Sequence, residues 1–207
     1  MFQIFGRTRS INVRKVLWTC DEIGIAYEHA ELPAGVTSLR DPAYLALNPN
    51  GLIPVIRDGD FVLWESNAIC RYLAQKHGRA DLLPADAAQR ALVEQWMDWQ
   101  VTELNGAWVY AFLALVRKDP AHTDPQQIAA SAAAWNRQMG ILDDQLRKTG
   151  GHVAGAGFTA ADIVVGLSVH RWLSTPIAHA DCPAVPTYYD QLRRRPAFPR
   201  HAVPEVP

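Results

Sequence analysis

The chain has 207 residues, 49% hydrophobic and 20% charged, which is long enough to bury a full core and ordinary for a globular protein. Lys plus Arg number 20 against 21 Asp plus Glu, leaving a formal charge of -1 that excludes bulk attraction to nucleic acid or an anionic membrane. Cys20, Cys70 and Cys182 are far apart and share no metal-like spacing with histidine, so neither a disulfide framework nor a metal site is expected.

FQIF at the start is followed at once by Gly6 and Arg7 and reads as a short strand, too brief for a signal segment. Val13, Val16, Leu17 and Cys20 then fall at i, i+3, i+4, i+7, the apolar stripe of a helix that Gly24 can end. Residues 25–32 return to a strand pattern, and a weaker helical piece near 39–47 closes at NPNG. PVIRDGDFVLW places Asp58-Gly59 between two β-rich runs, a hairpin signal, and Ser66 then caps a helix over Ala68, Ile69, Tyr72 and Leu73.

After GRADLLPADA the character changes, and from about Ala87 only helical patterns occur, carrying five of the seven tryptophans. No run of about 18 apolar residues appears, so no membrane span is expected. The run Arg193 to Arg195 is the charged last turn of a helix before Pro196. The organisation is an α/β domain, residues 1–78, followed by an all-α domain, residues 87–207.

Three local patterns carry chemistry. Pro54, opening a strand before a hairpin, loses a ladder donor and fits an edge position or a cis bond after Ile53; if cis, Ile53 would present its backbone N–H and C=O to an extended peptide. In WESNAI, Ser66 is either a plain helix cap or, with Glu65 and the helix N-terminus, one grip on the two charges of an amino-acid zwitterion. Thr159 and Asp162 in FTAAD have capping-box spacing and are expected to fold a helix, not to act in a site.

Taken together, SINVRKV, NPNGLIPVI, DGDFVLWESNAICRYL and GFTAADIVVG resemble a cytosolic glutathione transferase, of the bacterial serine-type, theta- or nu-like members, in order along the whole chain. The resemblance implies a thioredoxin-like N-domain, an all-helical C-domain, a cytoplasmic homodimer and a detoxifying transfer of glutathione to a small hydrophobic electrophile, with glutathione as co-substrate. It gives Ile53 and Pro54 the backbone of the glutathione cysteine, and Glu65 and Ser66 its γ-glutamyl end. Several relatives meet the glycine carboxylate with a Lys or Gln where this chain has Gly51 and Leu52, leaving His29, Arg40 and Asn50 as substitutes.

In serine-type members a hydroxyl near the start of the first helix points at the glutathione sulfur. Ser10 aligns with it, Asn12 is a second donor, and Thr8 is a third. A thiol of pKa about 8.5 is only about 3% thiolate at pH 7, and lowering it by about two units needs about 2.7 kcal/mol. A hydrogen bond to the charged sulfur supplies roughly 1.5–3 kcal/mol and a helix N-terminus roughly 0.3–1, so no formal base is required.

Val13 stands where cysteine-type relatives carry a cysteine, which excludes a disulfide through residue 13. Trp108, Phe112 and Leu115, with Trp172 as a possible wall, are expected to line an apolar electrophile pocket facing Ser10, although such tryptophans are more often core. A glutathione-dependent disulfide reductase or peroxidase, and a glutathione-binding protein without catalysis, are the competing functions.

Overall fold

Alternation along two paired strands fixes both faces of the sheet. In β1 (Phe2–Phe5) and β3 (Val55–Asp58), Ile4 and Ile56 enter the main core, whereas Phe5 and Val55 form a smaller cluster with Tyr44 on the opposite face. The computed structural model describes residues 2–203. β1 pairs parallel with β2 (Glu28–Ala30) and antiparallel with β3, which pairs antiparallel with β4 (Phe61–Trp64), giving the order β2-β1-β3-β4.

The parallel step is made by α1 (Ile11–Ile23), whose stripe Val13, Val16, Leu17 and Cys20 is buried and whose C-cap Gly24 bonds Cys20 O at 2.8 Å with φ 82°. The short α2 (Pro42–Leu45) carries Tyr44 under the sheet, and the β3–β4 hairpin turns on Gly59. α3 (Ser66–Lys76) follows β4 after the single residue Glu65. This order is a thioredoxin-like unit.

Beyond it the regular elements are helices, apart from an isolated bridge between His152 and Gly155. α4 (Ala87–Trp99), a π-helical turn (Gln100–Leu104) and α5 (Asn105–Leu115) form one continuous rod, followed by α6 (Pro125–Thr149), α7 (Ala160–Ser174), α8 (Ala184–Arg193) and α9 (Phe198–His201). α7 is buried from Ala160 to Trp172 and packs on α1, α3 and α4, so one core runs through both domains. Trp18 of α1 is fully buried against Phe158 and Phe198, and Arg195 bonds both oxygens of Glu22 at 2.9 and 2.6 Å. The arginine run thus supplies a clamp between domains as well as a helix end.

Thr159 and Asp162 form the expected capping box at α7. Asp162 does more than cap: its carboxylate also accepts from Val153 N at 2.9 Å, tying the preceding loop to the helix. Replacing it removes a cap and leaves two buried N–H groups unsatisfied, so Asp162→Ala is expected to cost roughly 2–4 kcal/mol in urea unfolding. A loss below about 1 kcal/mol would show that water replaces those bonds.

Candidate active site

The β1–α1 turn determines where the site lies. Gly6 has φ 146°, and an added Cβ would sit 2.5 Å from Val13 Cγ2 and 3.0 Å from Ile53 Cβ. Only glycine lets this turn close on the Ile53–Pro54 peptide, which is cis. Ser10 N then bonds Arg7 O at 2.9 Å, and Ser10 becomes the N-cap of α1, with its carbonyl accepting from Arg14 N at 3.1 Å. Its side chain makes no capping hydrogen bond, and no acidic residue occupies the first turn of the helix. Ser10 and Asn12 are both partly exposed at a helix N-terminus, whereas Thr8 is fully on the outside of the turn.

Ile53 precedes the β3 ladder, whose pairing begins at Val55. At the other end of the hairpin, Glu65 is the N-cap of α3 and Ser66 the first helical residue, which corrects the expectation that Ser66 is the cap. The reason is that β4 runs to Trp64, leaving one linking residue, whose carbonyl accepts from Ile69 N at 2.9 Å. That residue, Glu65, is held at φ 72°. A non-glycine residue there costs about 1–3 kcal/mol, the kind of local strain that gathers at ligand sites. Glu65 is exposed and Ser66 buried beside the helix N-terminus.

The candidates for the glycine end separate. His29 Nε2 is engaged with Gly6 O at 2.7 Å, and the Asn50 amide donates to Asn48 Oδ1 at 3.2 Å. Arg40 Nη1 would lie 3.0 Å from a Cβ on Gly51, so the missing side chain is what gives this exposed guanidinium its place.

Behind these surface groups lies a polar network that sequence reading misses. Lys15, wholly buried on α1, donates to Gln100 Oε1 at 2.6 Å in the π turn and, more weakly, to Asn67 Oδ1 at 3.4 Å on α3. Gln100 passes its own protons to Asn105 and Ser168, and Asn67 donates to Met97 O at 2.7 Å. Asn105 in turn accepts from the Trp108 indole at 3.0 Å. Burial pushes the Lys15 amine down to about 7, and the neutral amine still has enough protons for both acceptors.

The residues expected to line an electrophile pocket are placed as follows. Trp108 and Phe112 are buried in the core, their rings edge to face at 5.3 Å. Trp172 lies apart from them, its indole bonded to Asn136 and its ring on His179. Guanidinium groups lie over these rings: Arg171 is 4.1 Å from the Phe112 ring centre and 4.5 Å from that of Trp108, and Arg117 is 5.1 Å from Phe112. Arg117 also bonds the carbonyl of Arg9, next to Ser10, at 3.0 Å.

The three cysteines are buried thiols, and burial pushes Cys70 up to about 11 and Cys20 higher still, which suits packing and not redox chemistry. Among the described residues no cluster suited to a metal occurs, and no helix is long and apolar enough to cross a membrane. A surface cleft of about 490 Å³ is bounded by Gly151, His152, Arg194 and Arg195, none of them a candidate for the site.

A thioredoxin-like domain with a cis-proline, an acidic-serine helix start and an all-helical partner defines a glutathione-using class of protein, and comparison with known proteins agrees. Residues 4–81 match the family described as Glutathione S-transferase, N-terminal domain. Glutathione S-transferase GstB of Escherichia coli is 36% identical over 199 residues, 95% of each chain, and Glutathione S-transferase 3 of Zea mays is 31% identical over 95% of this chain and 90% of its own. A solved theta class glutathione S-transferase from Xanthomonas axonopodis pv. citri, with glutathione bound, superposes with a TM-score of 0.89 at 38% identity, covering 98% of this chain and 97% of that one. The chain belongs to the cytosolic glutathione transferase family, and as an enzyme it is a glutathione S-transferase.

The depressed Lys15 sets a pH signature. Between about pH 7 and 10.5 the unfolded chain holds the proton that the folded protein has released, so this residue's contribution to stability rises with pH across that window. The wild type minus Lys15→Met stability difference, from urea unfolding, is expected to grow by up to roughly 2–3 kcal/mol from pH 7 to pH 9. Taking the difference cancels the buried thiols, which work the other way. A flat difference would mean that Lys15 is charged in the fold.

Proposed function

We propose that the protein transfers glutathione to an electrophile through a thiolate held by Ser10. The observation that carries this reading is a hydroxyl at the N-terminus of α1 that makes no capping bond, in the turn whose Gly6 packs against Ile53 of the cis Ile53–Pro54 peptide. Glutathione would lie extended between these elements. Ile53 would pair its backbone with the cysteine residue, Pro54 would shape that edge, and Glu65 and Ser66 with the α3 N-terminus would take the ammonium and carboxylate of the γ-glutamyl end. Arg40 beside Gly51 would hold the glycine carboxylate.

Thiolate formation needs only nearby donors and positive potential. Ser10 O–H, with Asn12 Nδ2–H as the second donor, would bond the sulfur, and the helix terminus and neighbouring arginines would add to the field. The gain in thiolate outruns the gain in rate, because a thiolate of lower pKa is a weaker nucleophile, with a Brønsted slope of about 0.4–0.5. Holding the electrophile beside the sulfur then supplies most of the acceleration. A homodimer in the cytoplasm is the assembly and location this reading takes from the family.

The test is the ultraviolet thiolate band of bound glutathione, titrated in wild type, Ser10→Ala and Asn12→Ala. Ser10→Ala is expected to raise the bound thiol pKa by about 1–2 units, the equivalent of one charged hydrogen bond, with a smaller rise in Asn12→Ala. The reverse ranking would move the sulfur contact to Asn12. For the glycine end, Arg40→Ala is expected to weaken glutathione about tenfold, yet leave the affinity of its glycine ethyl ester within twofold of wild type. Equal loss for both ligands would remove Arg40 from that role.

A further inference from the structure

Arg71, Arg79, Arg90, Arg147 and Arg195 each meet a carboxylate. Beside Ser10 a buried arginine goes without one. Among the described residues Arg9, Arg14 and Arg117 have no carboxylate partner, although Arg14 is only 2% exposed. Arg14 spends one nitrogen on His201 O at 2.8 Å, while its Nε and Nη2 are buried with no hydrogen-bond partner. Arg117 and Arg171 press on the same Phe112 ring, and charges crowd here: Arg171 feels Arg14 and Arg117, Arg14 feels Arg117, and Arg117 feels Arg9. Burial and this crowding hold Arg14 at about 10, below the ordinary guanidinium range.

A buried cation with two idle donors next to further cations is costly unless an anion visits. The geometry points to an electrophile that carries a carboxylate, bound by Arg117 at the cleft with Arg14 behind it, so that its reactive carbon faces the sulfur at Ser10. This rests on the transferase reading and sets its substrate class. Phe112 then serves as the platform that orients Arg117 and not as a surface the electrophile touches. For an aryl chloride the step is a substitution: the thiolate sulfur forms a bond to the ring carbon, the carbon–chlorine bond breaks, and chloride leaves with its electron pair. The thiol proton has already gone to solvent.

The probe is a matched pair, 4-chloro-3-nitrobenzoate and 4-chloro-3-nitrobenzamide, alike in shape and different in charge. Calorimetry of the two purified glutathione conjugates against the full-length protein measures the charge preference without needing turnover, and the shared glutathione part cancels. The carboxylate conjugate is expected to bind at least tenfold tighter, with the ratio falling towards one in Arg117→Met and intermediate in Arg117→Lys. Equal affinities in the wild type, or an unchanged ratio in Arg117→Met, would overturn the proposal. Turnover of the two chlorides, relative to their rates with free glutathione, tests the other reading. A tenfold conjugate preference with no turnover of either chloride would keep the anionic site and reject transfer through Ser10.

Discussion

One amine with no access to water holds the site's parts in register. Lys15 lies one turn into the helix that Ser10 opens, and its two acceptors belong to the helix that Glu65 and Ser66 open and to the π turn before the Phe112 helix. A buried ammonium would need full charge compensation, and here the hydrogen-bond acceptors are neutral side chains, so burial makes its pKa fall. The network is satisfied only when α1, α3 and the π turn stand in one arrangement, since Asn67 and Gln100 each spend their remaining protons on fixed partners. A half-made network costs more than an apolar contact, so the relative placement of the two domains has few alternatives.

The π turn follows from the same requirement. One wider turn between α4 and α5 redirects the rod and puts Gln100 towards Lys15, while Asn105 and Trp108 continue the hydrogen-bond chain one element further. The Trp108–Phe112 helix is thereby anchored to α1 through hydrogen bonds and not only through apolar packing. Arg117, at the far end of that rod, closes the circuit by returning to the carbonyl of Arg9.

Sequence periodicity made the local structure legible: the buried stripe of α1 with its Gly24 stop, the hairpin, and the Thr159–Asp162 cap all act over a few residues. Ser10, Ile53, Pro54, Glu65 and Ser66 could be named as candidates because each sits at an element boundary, and the family resemblance supplied the role proposed for each. Lys15 was not, since its partner Gln100 is 85 residues away and a lysine on an amphipathic helix reads as a solvated face. Arg117 was visible at the end of WVYAFLALVR, but a cation closing an apolar helix reads as a partner for the helix dipole. Arg9, 108 residues away, carries no sign of it, so the aromatic residues of the same run suggested an apolar pocket, and the guanidinium groups that lie over Trp108 and Phe112 in the folded chain went unseen.

Two negative charges in one cleft constrain how that positive potential must be arranged. A carboxylate about 8 Å from the sulfur opposes the thiolate by about 2 kcal/mol at an effective dielectric of about 20, close to what Ser10 alone supplies. A single arginine would be neutralised by the incoming anion and leave the thiolate with less help than before. Several cations avoid this, because one can be matched by the carboxylate while the charges of the others and the α1 terminus still add to the positive potential of the cleft. The surplus of arginines beside Ser10 is therefore what a site must carry if it is to ionise a thiol and admit an anion together.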